Sequence, residues 1–175
     1  MKRIKGFTMI ELLIVIAVLG VLAVAVLSAI NPIEQINRGK DTGSRSDAEQ
    51  LLSAIDRYYA TKGFYPWQNS ADDLNAYIGW INMKIANATG LLGNLSNATS
   101  ELKTSFVTRI VSTGSKALFI FNNGESGEST YVCFFPSSGA FQTEAANRCS
   151  AIPPDLSPVS GTICGGASNS YSCLP

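Results

Sequence analysis

The sequence predicts an α+β fold: a long N-terminal helix, membrane-spanning in its first half and amphipathic in its second, packed on a small antiparallel β-sheet and followed by a disulfide-stapled C-terminal loop. Three observations predict it. Residues 12–33 carry no charge, whereas Ala48, Leu51, Leu52, Ile55, Tyr58 and Tyr59 recur at the spacing of one helical face. Runs of β-branched and aromatic residues alternate with Gly- and Asn-rich turns between residues 106 and 145. All four cysteines fall in the last 43 of the 175 residues.

Composition narrows the function before any motif is read. The chain has 13 basic and 13 acidic residues and no histidine, so His-dependent triads and imidazole zinc sites are excluded. Zero formal charge argues against a nucleic-acid binder held by a basic face, and 46% hydrophobic residues argue against disorder. One domain of ordinary size is expected.

The first element begins with MKRIKG, which holds Lys2, Arg3 and Lys5, and continues as FTMIELLIVIAVLGVLAVAVLSAI. About 20 residues at 1.5 Å each cross a hydrocarbon core of about 30 Å. Basic residues ahead of such a span stay in the cytoplasm, so a single-pass, N-in and C-out topology is expected. A secretory signal has a shorter apolar region and a small-residue cleavage site; Ala23, Ala25 and Ser28 imitate one, but Asn31-Pro32 follows the run instead. Neither cleavage there nor a plain uncleaved anchor explains Glu11, a carboxylate inside the apolar run. Such a charge costs a few kcal/mol in lipid unless neutralised, and is functional by default.

Gly6-Phe7-Thr8-Met9-Ile10-Glu11, at a basic-to-apolar junction, resembles the class III signal of type IV pilins and pseudopilins. The resemblance implies a leader, residues 1–6, that an inner-membrane prepilin peptidase removes by cutting between Gly6 and Phe7, with N-methylation of Phe7. It implies that Glu11 neutralises the N-terminal amine of a neighbouring subunit and sets its axial register in a filament. Physics supports this role: Phe7 and Glu11 are i and i+4 on one helix face, and either charge alone in an apolar bundle costs several kcal/mol. Loss of the leader removes three positive charges and leaves the mature chain acidic.

The span is assigned to residues 7–33 and the amphipathic half of the helix to 34–62. Pro32 is expected to kink the helix rather than stop it, and Gly39 and Gly43 to soften residues 31–45. Gly63 reads as the helix terminator. Residues 63–105 read as a connecting αβ-loop, with a short helix from Ser70 to about Tyr77 started by Asp72-Asp73, and with Asn-x-Ser/Thr triplets at Asn87, Asn94 and Asn97. Glycosylation there stays open. Residues 106–145 read as an antiparallel meander with strands at 106–111, 117–121 and 130–135 and a fourth near Ala140–Thr143. One face of the sheet must cover the helix stripe, because neither is stable alone.

Residues 146–175 form the C-terminal region. Beyond a membrane span the cysteines meet an oxidising space, and Cys133, Cys149, Cys164 and Cys173 read as two disulfides rather than a zinc site, since no C-x-x-C pair exists. Three connectivities are possible; the shortest loops favour Cys133–Cys149 and Cys164–Cys173.

No catalytic, metal or cofactor constellation is found, so the expected function is structural: a subunit of an extracellular pilus-like filament, membrane-held as a precursor. The partners this implies are other subunits, the prepilin peptidase, the lipid bilayer, a membrane platform and an assembly ATPase, with nucleic acid not indicated. The alternatives are a pseudopilin of a type II secretion or competence DNA-uptake machine, or an uncleaved membrane-anchored surface protein. Secretion pseudopilins are usually cysteine-poor with a calcium-binding C-terminal region, and no acidic calcium cluster occurs in this tail.

Overall fold

The computed structural model describes residues 6–175 apart from 86, 87, 113, 115, 126 and 167; Lys2, Arg3, Lys5 and Asn87 therefore lie outside the described residues. The chain divides into two compact units, residues 1–36 and 37–175.

In the first unit, α1 (Met9–Ala29) ends where Ile30 adopts an extended conformation. The kink expected at Pro32 is instead a break: α2 (Pro32–Lys62) starts at the proline, and the Asn31 carboxamide accepts from the Glu34 N–H at 3.3 Å. Proline suits a first helical position, where its missing N–H would have had no partner. The large apolar side chains of α1 are all exposed within the chain.

The second unit is the head. From Asn37, α2 continues unbroken through Gly39 and Gly43 to Lys62, so the expected softening leaves no gap in the helix. Gly63 ends it as expected, with φ of 77° and its N–H bonded to the Tyr59 carbonyl at 2.8 Å. Ala48, Leu51, Ile55 and Tyr58 are buried and Leu52 is half-buried, whereas Tyr59 turns outward and stacks on Tyr65, which stacks on Trp67.

The remaining elements are β1 (Ile78–Asn82), α3 (Ala88–Gly93) with a π-helical turn at Asn94–Ala98, α4 (Thr104–Val111), β2 (Leu118–Asn122), β3 (Tyr131–Phe134), α5 (Gly139–Arg148), a 3-10 turn (Pro154–Val159), α6 (Ser160–Ile163) and β4 (Ser172–Leu174). The strands form one antiparallel sheet in the order β1-β2-β3-β4, with Phe119 opposite Cys133 and Cys133 opposite Cys173. Its inner face, from Ile78, Leu118, Ile120, Val132, Phe134 and Leu174, packs with the α2 stripe and with Leu92, Leu95 and Ile110. Its outer face is covered too: Phe121, Tyr131 and Cys133 pack with Leu156 and Ile163 of the C-terminal region, beside Trp80, Phe119 and Tyr171. Burial on both faces explains why β2 and β3 read as continuous apolar runs rather than alternations.

Several expectations need correction. Residues 106–111 form helix, not strand: Phe106 and Ile110, spaced by four, enter the core, and Val107 and Val111 pack beside them. β-branched residues favour strand, but the apolar residues 106, 107, 110 and 111 recur at helical spacing, and their burial follows that spacing. Residues 140–143 also form helix, because Ser138 is the N-cap of α5 and accepts from the Phe141 N–H at 3.5 Å. Ser70–Tyr77 forms no helix: the Asp73 carboxylate accepts from the Asn69 and Asn75 N–H groups, a local alternative to helical bonding. The sheet gains β1 in place of those segments, and the tail has two short helical turns and an edge strand where little structure is expected.

The disulfides join Cys133 to Cys173 and Cys149 to Cys164, one nested inside the other, which overturns the nearest-neighbour pairing. Loop closure grows only logarithmically, so closing about 40 residues rather than about 16 costs only about 0.8 kcal/mol more. In-register pairing of β3 with β4 places Cys133 directly opposite Cys173 and outweighs that difference.

Asp41 is a fully buried carboxylate on the same face of α2 as Ala48 and Ile55. Its oxygens accept from the Ser137 N–H at 3.0 Å, the Ser138 N–H at 2.7 Å, the Ser138 hydroxyl at 2.6 Å and the Lys116 ammonium. Lys116 also donates to the Phe135 carbonyl at 3.0 Å. One carboxylate thus ties α2 to the start of α5 and to the segment before β2. Burial pushes the Asp41 carboxyl up, but Lys116, the Ser138 hydroxyl and the Ser138 and Ser137 N–H groups outweigh it and hold the group below its ordinary value.

Replacing Asp41 by Ala strands a lysine and two backbone donors, and is expected to cost about 3 kcal/mol, or about 6–12 °C in Tm by thermal unfolding of the full chain in detergent. Because the folded carboxyl titrates below the unfolded one, its contribution is complete above about pH 4 and is lost as pH falls through the lower folded value. The parent Tm therefore falls more steeply below pH 4 than that of Asp41→Asn. Non-reducing peptide mapping is expected to recover Cys133–Cys173 and Cys149–Cys164 peptides; a Cys133–Cys149 peptide refutes the pairing. By loop length, opening Cys133–Cys173 costs about 4 kcal/mol and opening Cys149–Cys164 about 3 kcal/mol.

Candidate assembly site

The N-terminal motif is built around one helix start. Thr8, extended at φ −78° and ψ 152°, is the N-cap of α1, and its hydroxyl accepts from the Glu11 N–H at 3.3 Å. Glu11 Oε2 in turn accepts from the Thr8 N–H at 2.8 Å and the Thr8 hydroxyl at 2.7 Å. This reciprocal capping box satisfies donors that a helix start otherwise leaves open, and puts a carboxylate where the helix dipole is positive. Glu11 is therefore held by its own chain's Thr8, one residue beyond Phe7, and its side chain is oriented before any second subunit arrives. Gly6 and Phe7 precede the helix and are exposed.

Past Glu11, α1 presents apolar side chains on every side; Leu12, Leu13, Ile14, Val15, Ile16 and Val18 are all more than half exposed. By length and composition α1 can cross a membrane. A surface this apolar is not left to water, so it needs lipid or other helices to cover it.

In the head, Cys149, at the C-cap of α5, and Cys164, just after α6, join the ends of those two helices and so bracket the turns that carry the outer-face cover. Tyr131 binds this cover to the sheet by donating to Asp155 Oδ1 at 2.8 Å; burial and the Asp155 carboxylate push its phenol up to about 12. Of the three Asn-x-Ser/Thr triplets, Asn94 donates its amide to the Pro66 carbonyl at 2.7 Å, Asn97 is exposed and Asn87 is not among the described residues. No group of His, Cys, Asp and Glu able to hold a metal occurs among the described residues.

Sequence reasoning missed two residues that shape these units. Asp41 lies seven residues before Ala48 and fourteen before Ile55, so extending the apolar stripe backwards would have placed it in the core. Thr8 three residues before Glu11 is the capping-box spacing, legible once a helix start is assigned there.

The profile described as "Prokaryotic N-terminal methylation motif" matches residues 1–27. The chain is 30% identical over 131 residues to the fimbrial protein EcpC of Eikenella corrodens, covering 74% of this chain and 81% of that protein. It is 33% identical over 106 residues to a fimbrial protein of Neisseria meningitidis serogroup A, covering 57% and 61%. To the type IV major pilin protein PilE1 of Neisseria gonorrhoeae it is 40% identical over 67 residues, covering 38% of this chain and 30% of that protein. No solved structure matches the chain. With a methylation motif at its start, an exposed apolar helix behind it, a disulfide-stapled α+β head and a fimbrial relative matched over most of both lengths, the chain belongs to the type IV pilin family.

Proposed function

We propose that this pilin is inserted in the membrane as a precursor with its N-terminus inside and its head outside, is cut between Gly6 and Phe7, and is methylated on the new Phe7 amine. It then polymerises through α1 into an extracellular filament. The observation that carries this reading is α1 itself: 21 residues, exposed on every side, whose one charge is Glu11 in the first turn. Leaving lipid for a bundle of identical helices exchanges one apolar surrounding for another, so hydrophobicity alone favours no particular stagger. A charge does. Hydrolysis of the Gly6–Phe7 amide creates an ammonium beside the capping box, and in a dry bundle that ammonium and the Glu11 carboxylate are each costly unless paired. Staggers that bring the amine of one subunit to the carboxylate of another remove that cost. The prepilin peptidase, a membrane platform and an assembly ATPase are the partners this route requires.

A filament subunit is favoured over a secretion or DNA-uptake pseudopilin because the matched relatives bear fimbrial and major-pilin names and because two disulfides staple the head.

Mass spectrometry of filaments sheared from cells is expected to find an N-terminal peptide beginning with N-methylated Phe7; protein confined to the membrane and beginning at Met1 refutes the route. Glu11→Gln and Glu11→Ala are expected to be cleaved and inserted normally but to lower filament yield at least tenfold. Normal filament yield from either variant removes Glu11 from the register role.

A further inference from the structure

The two bridges are nested: Cys149–Cys164, 15 residues apart, lies inside Cys133–Cys173, 40 residues apart. The outer bridge depends on the last strand of the head. Cys133 and Cys173 are an in-register pair of β3 and the edge strand β4, so their sulfurs meet when β4 docks on the sheet. Cys133 is fully buried, in the cluster that Leu156 and Ile163 cover. Cys149, Cys164 and Cys173 are half-buried and line one cavity of about 290 Å³ in that cover.

Chain order opposes this connectivity. If the head is outside, as the function proposed above requires and on which this inference rests, the cysteines reach an oxidising space in the order Cys133, Cys149, Cys164, Cys173. At a synthesis rate of about 5–20 residues per second, Cys133 and Cys149 are out together for about 1–3 s before Cys164 follows and about 1–5 s before Cys173. Catalysed disulfide formation takes seconds. In that interval Cys149 is the one partner Cys133 has. Loop closure in the unfolded chain points the same way, favouring Cys133–Cys149 over Cys133–Cys173 about fourfold. Neither β4 nor the cover has yet formed to oppose it.

We propose that the head is a substrate of a thiol–disulfide isomerase, an extracytoplasmic protein with an exchange-active thiolate, which converts the consecutive pairs Cys133–Cys149 and Cys164–Cys173 into the nested pairs. A disulfide-bearing oxidant first takes two electrons and two protons for each consecutive bridge. Once both bridges exist the chain has no thiol of its own and cannot begin exchange, so the attacking thiolate comes from another protein. That thiolate attacks Cys149 Sγ, forms a mixed disulfide and releases the Cys133 thiolate. Cys133 then attacks Cys173 Sγ, which forms the outer bridge and releases the Cys164 thiolate. Cys164 attacks Cys149 Sγ, which forms the inner bridge and returns the catalyst's thiolate. Two disulfides become two disulfides, with no net transfer of electrons or protons. Folding then makes the exchange one-way, because the buried Cys133 sulfur is withdrawn from the catalyst.

The test maps the disulfides of the full chain by non-reducing peptide mapping, in cells with and without their extracytoplasmic thiol–disulfide isomerase. Without it the share of nested pairs is expected to fall at least fivefold, with Cys133–Cys149 peptides in their place. Two variants remove the choice of partner. Cys149→Ser with Cys164→Ser leaves Cys133 and Cys173 alone, and Cys133→Ser with Cys173→Ser leaves Cys149 and Cys164 alone. Each has one possible bridge, whose yield is expected to change less than twofold on loss of the isomerase. Nested pairing of the parent within twofold in both strains, or single-bridge variants as dependent on the isomerase as the parent, overturns the proposal and leaves the filament reading intact. A parent with all four cysteines reduced in both strains overturns the outside placement of the head, and the proposal with it. A second measurement needs no variant of this chain: an isomerase whose resolving cysteine is replaced by alanine is expected to be recovered in mixed disulfide with it, and absence of that adduct overturns the proposal.

Discussion

The contact on which the head depends is the burial of one face of α2 against the inner face of the four-stranded sheet. Ala48, Leu51, Ile55 and Tyr58 meet Leu118, Ile120, Val132 and Phe134, and each fully buried Leu, Ile or Phe contributes about 1.5–3 kcal/mol by leaving water. A three-residue edge strand, a four-residue strand and helices of six to ten residues have no stability of their own, so every other element is placed relative to that contact. Hydrophobic burial is non-directional, however, and would tolerate sliding of the helix along the sheet. Asp41 removes that freedom: its oxygens take donors from Ser137, Ser138 and Lys116 only at one axial position of α2. Apolar area holds the head together and one buried carboxylate fixes its register.

The same logic recurs at the N-terminus with a different solvent. On α1 the apolar surface is uniform around the helix and satisfied by lipid or by other helices alike, so it too lacks positional information. Glu11, held by Thr8, is the single charged group on it. In each unit an apolar surface without positional information carries one carboxylate held in place by hydrogen bonds, Asp41 by Ser137, Ser138 and Lys116 and Glu11 by Thr8. The sheet's second face extends this economy. The tail from 150 onward, too poor in apolar residues to fold alone, covers Phe121, Tyr131 and Cys133 with Leu156 and Ile163, and two nested disulfides hold the cover where its small contact area would not.

Legibility followed the length of the signal. The apolar span, the α2 stripe, the Gly63 stop and the central strands β2 and β3 each rest on many residues repeating one pattern, or on a backbone conformation only glycine readily adopts. The errors fell on segments of four to eight residues. Phe106–Val111 is rich in residues that favour strand, yet its apolar positions 106, 107, 110 and 111 recur at helical spacing, and Phe106 and Ile110 enter the core. Ser138 is the N-cap of α5, and a serine between a Pro-Ser pair and a Gly suits a turn as well as a helix start. Asp41 escaped because a charge on an apolar face normally marks the edge of that face; it stays there only because donors 75 to 97 residues away converge on it.

The sequence by itself determined that this chain has an apolar helix able to span a bilayer, a motif of Gly6, Phe7 and Glu11 at its start, an α+β head and four cysteines paired within the last 43 residues. These depend on composition and on spacing along the chain, which sequence displays directly. Tertiary structure alone decided which cysteines pair, which short runs are strands, and that the tail is a second cover on the sheet. Each of those choices turns on differences of about 1 kcal/mol between local alternatives, and contacts between residues far apart in the chain supply more than that.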